Sequence, residues 1–169
     1  PKRAELQPMR IGGWGGEQWC FIPDEPSYSD GSCFQPATVM SIAGAAVMQK
    51  QGEGWVGIRW ALPDYLPQTA GCSGTIGLLL FLRHKKPGNG KWEIYIDCQA
   101  VISNWGIFVI SKATPNGKAV LDGIWWQIKD IANPHEVTLR KTKAHRTEKQ
   151  AAEEGDLVNF YGNQEADRE

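Results

Sequence analysis

The order of the periodic segments constrains this chain more than any single motif. Three strand-like runs follow one another directly, and later strand-like runs alternate with helix-like ones. Residues 28–33 (Y-S-D-G-S-C) predict a strand that closes in a turn at Asp30-Gly31-Ser32. Residues 39–49 are apolar and small, as in a buried strand, and Gln51-Gly52-Glu53-Gly54 is a hairpin turn. Residues 55–62, with Trp55, Val56, Ile58 and Trp60, predict the third strand, and Pro63 and Pro67 mark a loop. Residues 69–85 then carry Ile76, Leu79, Leu80 and Arg83 at helical spacing, with Thr69 placed to cap the N-terminus. Gly71, Gly74 and Gly77 weaken that helix, each costing about 1 kcal/mol against alanine. After Pro87-Gly88-Asn89-Gly90, residues 92–97 (W-E-I-Y-I-D) alternate as a strand, and a helix opens at Cys98. Residues 118–131 place Val120, Ile124, Trp125, Ile128 and Ile131 on one helix face, which makes Trp125 and Trp126 packing residues rather than a stacking platform. Residues 136–143 predict a fifth strand, 146–162 a polar loop or inserted helical turn, and 163–169 the start of a last helix that is cut short. The order β-β-β-α-β-α-α-β-α implies an α/β fold, a mixed sheet with helices on its faces.

Composition bounds the rest. The chain has 169 residues, 41% hydrophobic and 22% charged, which suits one globular domain. Residues 1–26, with Gly12-Gly13-Trp14-Gly15-Gly16 and the prolines Pro23 and Pro26, read as an irregular N-terminal extension or linker ahead of a domain at 27–169. The absence of an initiator Met suggests a domain cut from a longer chain. The longest apolar run, residues 75–82, is too short to span a bilayer, and the N-terminus carries no secretory signal, so no membrane partner is expected. Cys20, Cys33, Cys72 and Cys98 are scattered without a zinc-ligand spacing, which fits reduced thiols and an intracellular setting. The net charge of −1 excludes a globally basic nucleic-acid binder. Binding of that kind would use local stretches: Arg140, Lys141, Lys143, Arg146 and Lys149, or Arg83, Lys85, Lys86 and Lys91.

Three aspartates stand where chemistry is expected. Asp30 lies in the first strand, Asp97 ends the fourth, and Asp167 follows Gly162-Asn163 by about one helical turn. If strands one and four are parallel neighbours, the strand order reverses between them, and a crevice opens at their carboxyl ends. Asp30 and Asp97 would both face it.

The segments Y-S-D-G-S-C, I-Y-I-D-C-Q-A-V, K-A-H and G-N-Q-E-A-D, in this order, resemble the type 1 ribonuclease H family. The nearest flavour is the ribonuclease H domain of retroelement polyproteins of the non-LTR type, and the resemblance covers residues 27–169. It implies a ribonuclease H-like fold: a five-stranded mixed sheet, order 3-2-1-4-5, flanked by helices. It implies endonucleolytic hydrolysis of the RNA strand of RNA/DNA hybrids with two Mg²⁺ ions, Mn²⁺ being a possible substitute, and a covalently linked reverse transcriptase. Two ions flanking a phosphate activate water and stabilise the leaving oxygen, and hard carboxylate oxygens suit them. Carried over, Asp30 would bridge both ions, Asp97 would hold the leaving-group ion and Asp167 the nucleophile-side ion. His145 matches the family's loop histidine, although the 22 positions from His145 to Asp167 exceed the usual gap. Gly31, Ser32, Gln68, Thr69 and Asn163 match positions that touch the hybrid through phosphates or 2′-hydroxyls. One departure stands out: the family's helix Glu is replaced by Gly74, and a one-residue slip would give Ser73. That loss predicts weak Mg²⁺ binding and low activity. It sets a second reading, a catalytically impaired nucleic-acid-binding remnant, beside the nuclease. An integrase-like or resolvase-like nuclease is a third, disfavoured by the K-A-H and G-N-Q-E-A-D pair.

Overall fold

A computed structural model of the chain describes residues 9–11, 20–34, 42–111, 119–142 and 146–168. The strands are β1 (Met9–Ile11), β2 (Ser27–Phe34), β3 (Ile42–Gln51), β4 (Gly54–Ala61), β5 (Trp92–Ile96) and β6 (Val137–Lys141). The helices are α1 (Ala70–His84), α2 (Gln99–Ser111), α3 (Ala119–Ile131), α4 (Glu148–Glu153) and α5 (Leu157–Arg168).

The β2–β3–β4 meander is antiparallel, and its second hairpin turns at Gly52, whose φ of +63° only glycine adopts without strain. A meander exhausts short connections, so the next strand must reach the sheet by a crossover. Helix α1 makes it and delivers β5 parallel to β2; α2 and α3 then deliver β6 parallel to β5. The sheet order is β1-β4-β3-β2-β5-β6. Without β1 this is the expected five-stranded order 3-2-1-4-5.

The two faces of the sheet are unequal. Beneath α1, α2 and α3 lies the main core, including Val47, Ile58, Leu78, Phe81, Ile94, Ile96, Trp125 and Ile128. Each such side chain contributes about 1.5–3 kcal/mol on burial. The glycines of α1 are tolerated because the helix presses on the sheet, so packing overrides propensity. Thr69 caps α1 as expected, its hydroxyl accepting from Cys72 N at 3.2 Å. The opposite face carries a small cluster of Tyr28, Met48 and Ala166, with Trp55 and Tyr95, under α5 alone.

Two expectations are corrected. Residues 1–26 are not merely irregular: Met9–Ile11 extends the sheet antiparallel to β4. Phe21 is fully buried, and its backbone bonds His84 and Lys86. Gln49 fixes the same segment, its amide bonding Ile22 N and O and Glu25 O at 2.8–3.0 Å. The last helix starts at Leu157 rather than Asn163. Gly162 suggests a break, yet it sits inside α5 because a Cβ there would lie 2.2 Å from Tyr28 Cζ. In the 146–162 stretch the expected inserted helical turn is present as a short helix, α4, opened by a capping box between Thr147 and Gln150. Trp125 is core, as expected, whereas Trp126 is 54% exposed with Lys129 over its ring. Among the described residues, no helix is long and apolar enough to cross a membrane.

Candidate active site

The parallel pairing of β2 and β5 sets the site. Tyr28 pairs with Tyr95 and Ser29 with Ile96, so the next step brings Asp30, in the middle of β2, opposite Asp97, which follows the carboxyl end of β5. Side chains two apart share a face. Tyr28 and Asp30 therefore point with Tyr95 and Asp97 toward α5. The tyrosine rings stack at 5.5 Å and anchor α5 through Asn159, which accepts from Tyr28 Oη at 2.9 Å and donates to Tyr95 Oη at 3.2 Å. Gly162 lies on Tyr28, and α5 runs on past Ala166 to bring Asp167 to Asp30.

Electrostatics confirm the convergence of these three acids. Burial pushes the Asp30 carboxyl up to about 8. A hydrogen bond with Asp167 and the negative charges of Asp167 and Asp97 push the same way, against the Gly31 backbone N–H. Protonated Asp30 can donate to Asp167, and the proton relieves a repulsion that a cation would also relieve. Asp97 is turned partly aside. Lys141 Nζ lies 3.3 Å from its Oδ1 and donates to its backbone carbonyl at 2.9 Å. With Asp97 so engaged, no group of three or more His, Cys, Asp or Glu among the described residues stands ready to grip an ion. The donor set itself, carboxylate oxygens around a proton-holding Asp30, has the chemistry of a hard divalent-cation site.

Gly74 is buried on α1 and faces the start of α2. A Cβ there would lie 3.0 Å from Val101 Cγ2 and 3.1 Å from Cys98 Cβ. A side chain at position 74 would thus leave toward the residue that follows Asp97, into space α2 already fills. Ser73, the slipped alternative, is fully buried, donates to Ala70 O at 3.1 Å and covers Gly31.

The expected substrate-contacting residues divide. Gly31 lies at the site under Ser73, and Asn163 is half-buried on α5 one turn before Asp167. Thr69 is exposed but its hydroxyl caps α1. Gln68 has another occupation: it accepts from Ala43 N at 2.8 Å and donates to the carbonyls of Pro63 and Leu66 at 3.0 Å, stapling the loop before α1. The side chain of Ser32 and all of His145 lie outside the described residues. The basic stretch around β6 is largely committed to acids of the chain itself. Arg140 pairs with Glu93 at 2.8 Å, and Arg146, its side chain 8% exposed, bridges Glu154 and Asp156 at 2.8 and 2.6 Å. Together Tyr28, Tyr95, Lys141, Thr142, Arg146 and Asn159 line part of a polar cleft of about 520 Å³ beside Asp97. Sequence reasoning missed this surround.

No protein-family model and no curated protein matches the sequence. Solved structures do. The solution structure of the prototype foamy virus RNase H domain superposes with a TM-score of 0.57 at 14% identity, covering 86% of this chain and 92% of that one. The fold is ribonuclease H-like. The native protease–reverse transcriptase of prototype foamy virus matches with a TM-score of 0.54 at 14% identity, over 83% of this chain and 21% of that chain. A foamy viral protease–reverse transcriptase in complex with RNA/DNA hybrid matches with a TM-score of 0.52 at 14% identity, over 83% and 20%. This chain therefore spans about a fifth of the length of those polyproteins.

Proposed function

We propose that this chain is a ribonuclease H domain that hydrolyses the RNA strand of RNA/DNA hybrids in a metal-dependent reaction. In this reading it works within a reverse-transcriptase-bearing polyprotein of a retroelement, of the non-LTR type that its motifs resemble. The carrying observation is that Asp30 of β2 has as neighbours Asp97, which follows the parallel strand β5, and Asp167 of α5. The foamy viral structure in complex with RNA/DNA hybrid supports the substrate class.

Asp30 and Asp167 would hold a divalent ion, Mg²⁺ or Mn²⁺, with Asp97 completing its ligands. When bound, such an ion supplies charge for the scissile phosphate and lowers the pKa of a bound water. The residues of this chain set the rest. Asp30, nearest the middle of the trio, must lose its proton for the ligand set to be complete. The Tyr28–Asn159–Tyr95 network holds α5, and with it Asp167, at a fixed distance from β2. Gly31 lets Ser73 of α1 pack closely on β2 next to Asp30. His145, by its place in the K-A-H segment, would serve proton transfer or product departure.

Gly74 favours a second reading, an impaired domain that binds hybrid and turns it over slowly or not at all. With glycine there, α1 brings no acid to the Asp97 side. The deciding experiment is cleavage of a hybrid end-labelled in turn on each strand, in Mg²⁺ and in Mn²⁺, by the parent chain beside Gly74→Glu. Cleavage confined to the RNA strand by the parent establishes a working nuclease with three carboxylates. Silence in the parent with activity in Gly74→Glu establishes the impaired reading. Silence in both, with hybrid bound no more tightly than duplex DNA, refutes the proposal.

A further inference from the structure

The cation that the structure does place at the acid cluster belongs to the protein. Lys141 ends β6, the neighbour of β5, and its ammonium reaches across to Asp97 by two contacts, 2.9 Å to the carbonyl and 3.3 Å to Oδ1. Lys141 is paired with Ile96 in the strand beside β5, and its ammonium reaches round to the residue that follows Ile96. Arg140, the preceding residue, is paired with Glu93 instead. Lys141 is therefore the basic residue of β6 directed at the cluster. Asp30 meets different neighbours: two acids and a backbone N–H. The cluster is thus polarised, with a resident positive charge on the Asp97 side and concentrated negative charge on the Asp30–Asp167 side. Gly74 sharpens the asymmetry, because α1 supplies no acid to compete with Asp97 for Lys141.

We infer that Lys141 is a resident counter-cation that occupies the Asp97 side of the site and restricts divalent-ion binding to the Asp30–Asp167 side. This rests on the reading of the three aspartates as a metal site. A divalent ion sharing Asp97 with the ammonium would lie about 5–6 Å from it, and in a water-like dielectric that repulsion weakens affinity by roughly a factor of ten. The interaction is between partly exposed groups, so salt screens it.

The test is titration of the full chain with Mn²⁺, followed by the loss of the free-ion electron paramagnetic resonance signal, without nucleic acid. Lys141→Met is expected to bind Mn²⁺ about tenfold more tightly than the parent and to gain a second bound ion. Lys141→Arg, which keeps the charge, is expected to match the parent in both respects. The gain should shrink at about 0.5 M KCl and vanish in Lys141→Met combined with Asp97→Asn. Lys141→Gln serves if the Met variant misfolds. An Mn²⁺ affinity and stoichiometry unchanged in Lys141→Met overturns the inference and leaves the metal-site reading standing. Failure of the parent and every variant to bind Mn²⁺ overturns both.

Discussion

Asp30→Asn should stabilise the metal-free protein, and should do so only above the pH at which an ordinary aspartate ionises. The folded state pushes Asp30 from 3.8 up to about 8, first by burial and then through Asp167 and Asp97. Between those values the folded chain holds a proton that the unfolded chain has released, so stability falls as pH rises from about 4 to 8. Below about 4 both states are protonated and the penalty is absent; above 8 it is complete. The interval corresponds to about 6 kcal/mol at most. Asp30 is half-exposed and Asp167 is exposed, so solvent screening leaves about 1–3 kcal/mol. Asparagine keeps the shape and removes the charge. Urea melts of parent and Asp30→Asn in EDTA at pH 4, 6 and 8 should show curves that coincide at pH 4 and diverge by that amount at pH 8. The corresponding rise in Tm is about 3–10 °C. A difference that does not change with pH, or a variant less stable than the parent at pH 8, would refute the electrostatic reasoning.

Other expectations follow from packing and hydrogen bonds. Gly162→Ala forces a methyl to within 2.2–2.4 Å of three Tyr28 ring atoms, and should cost about 2–3 kcal/mol in a denaturant melt; combining it with Tyr28→Leu should recover part of the loss. Gln68→Ala removes bonds to Ala43, Pro63 and Leu66, and should cost about 2–3 kcal/mol while leaving hybrid affinity within about twofold. A large loss of affinity at preserved stability would restore Gln68 as a substrate contact. Gly74→Ala sets a gain of about 1 kcal/mol in helix propensity against crowding of Val101 and Cys98. Neighbours from a packed helix dominate, so a melt should show a net loss of about 1 kcal/mol.

Much of the fold was legible because its signals are local. Alternation in W-E-I-Y-I-D, the Gln51–Gly54 turn and the Thr69 cap each predict an element that the structure contains. The sheet order was legible through the motif resemblance rather than through periodicity, since strand pairing joins residues far apart in sequence. What was missed is nonlocal. Met9–Ile11 is a strand because β4 offers an open edge, and nothing in a glycine-rich stretch announces that. Gly162 looks like a helix stop until Tyr28 is seen beneath it. The Asp30–Asp97 juxtaposition was inferable from a parallel crossover, but the claim of Lys141 on Asp97 was not, because it depends on the β5–β6 register. Gln68 illustrates the converse: the resemblance gives it a place at the substrate, while the hydrogen bonds of its amide to Ala43, Pro63 and Leu66 join residues that no local pattern links.

The claim that Asp30, Asp97 and Asp167 form one working site is tested most directly by Mn²⁺-supported cleavage of the hybrid RNA strand. The comparison is Asp30→Asn, Asp97→Asn and Asp167→Asn, made in whichever of the parent and Gly74→Glu chains turns over. Residues acting as one unit should each cost about a hundredfold or more when removed, and the triple variant should be little worse than any single one. A folded single variant that cleaves within about threefold of its reference would take that aspartate out of the site and contradict the account.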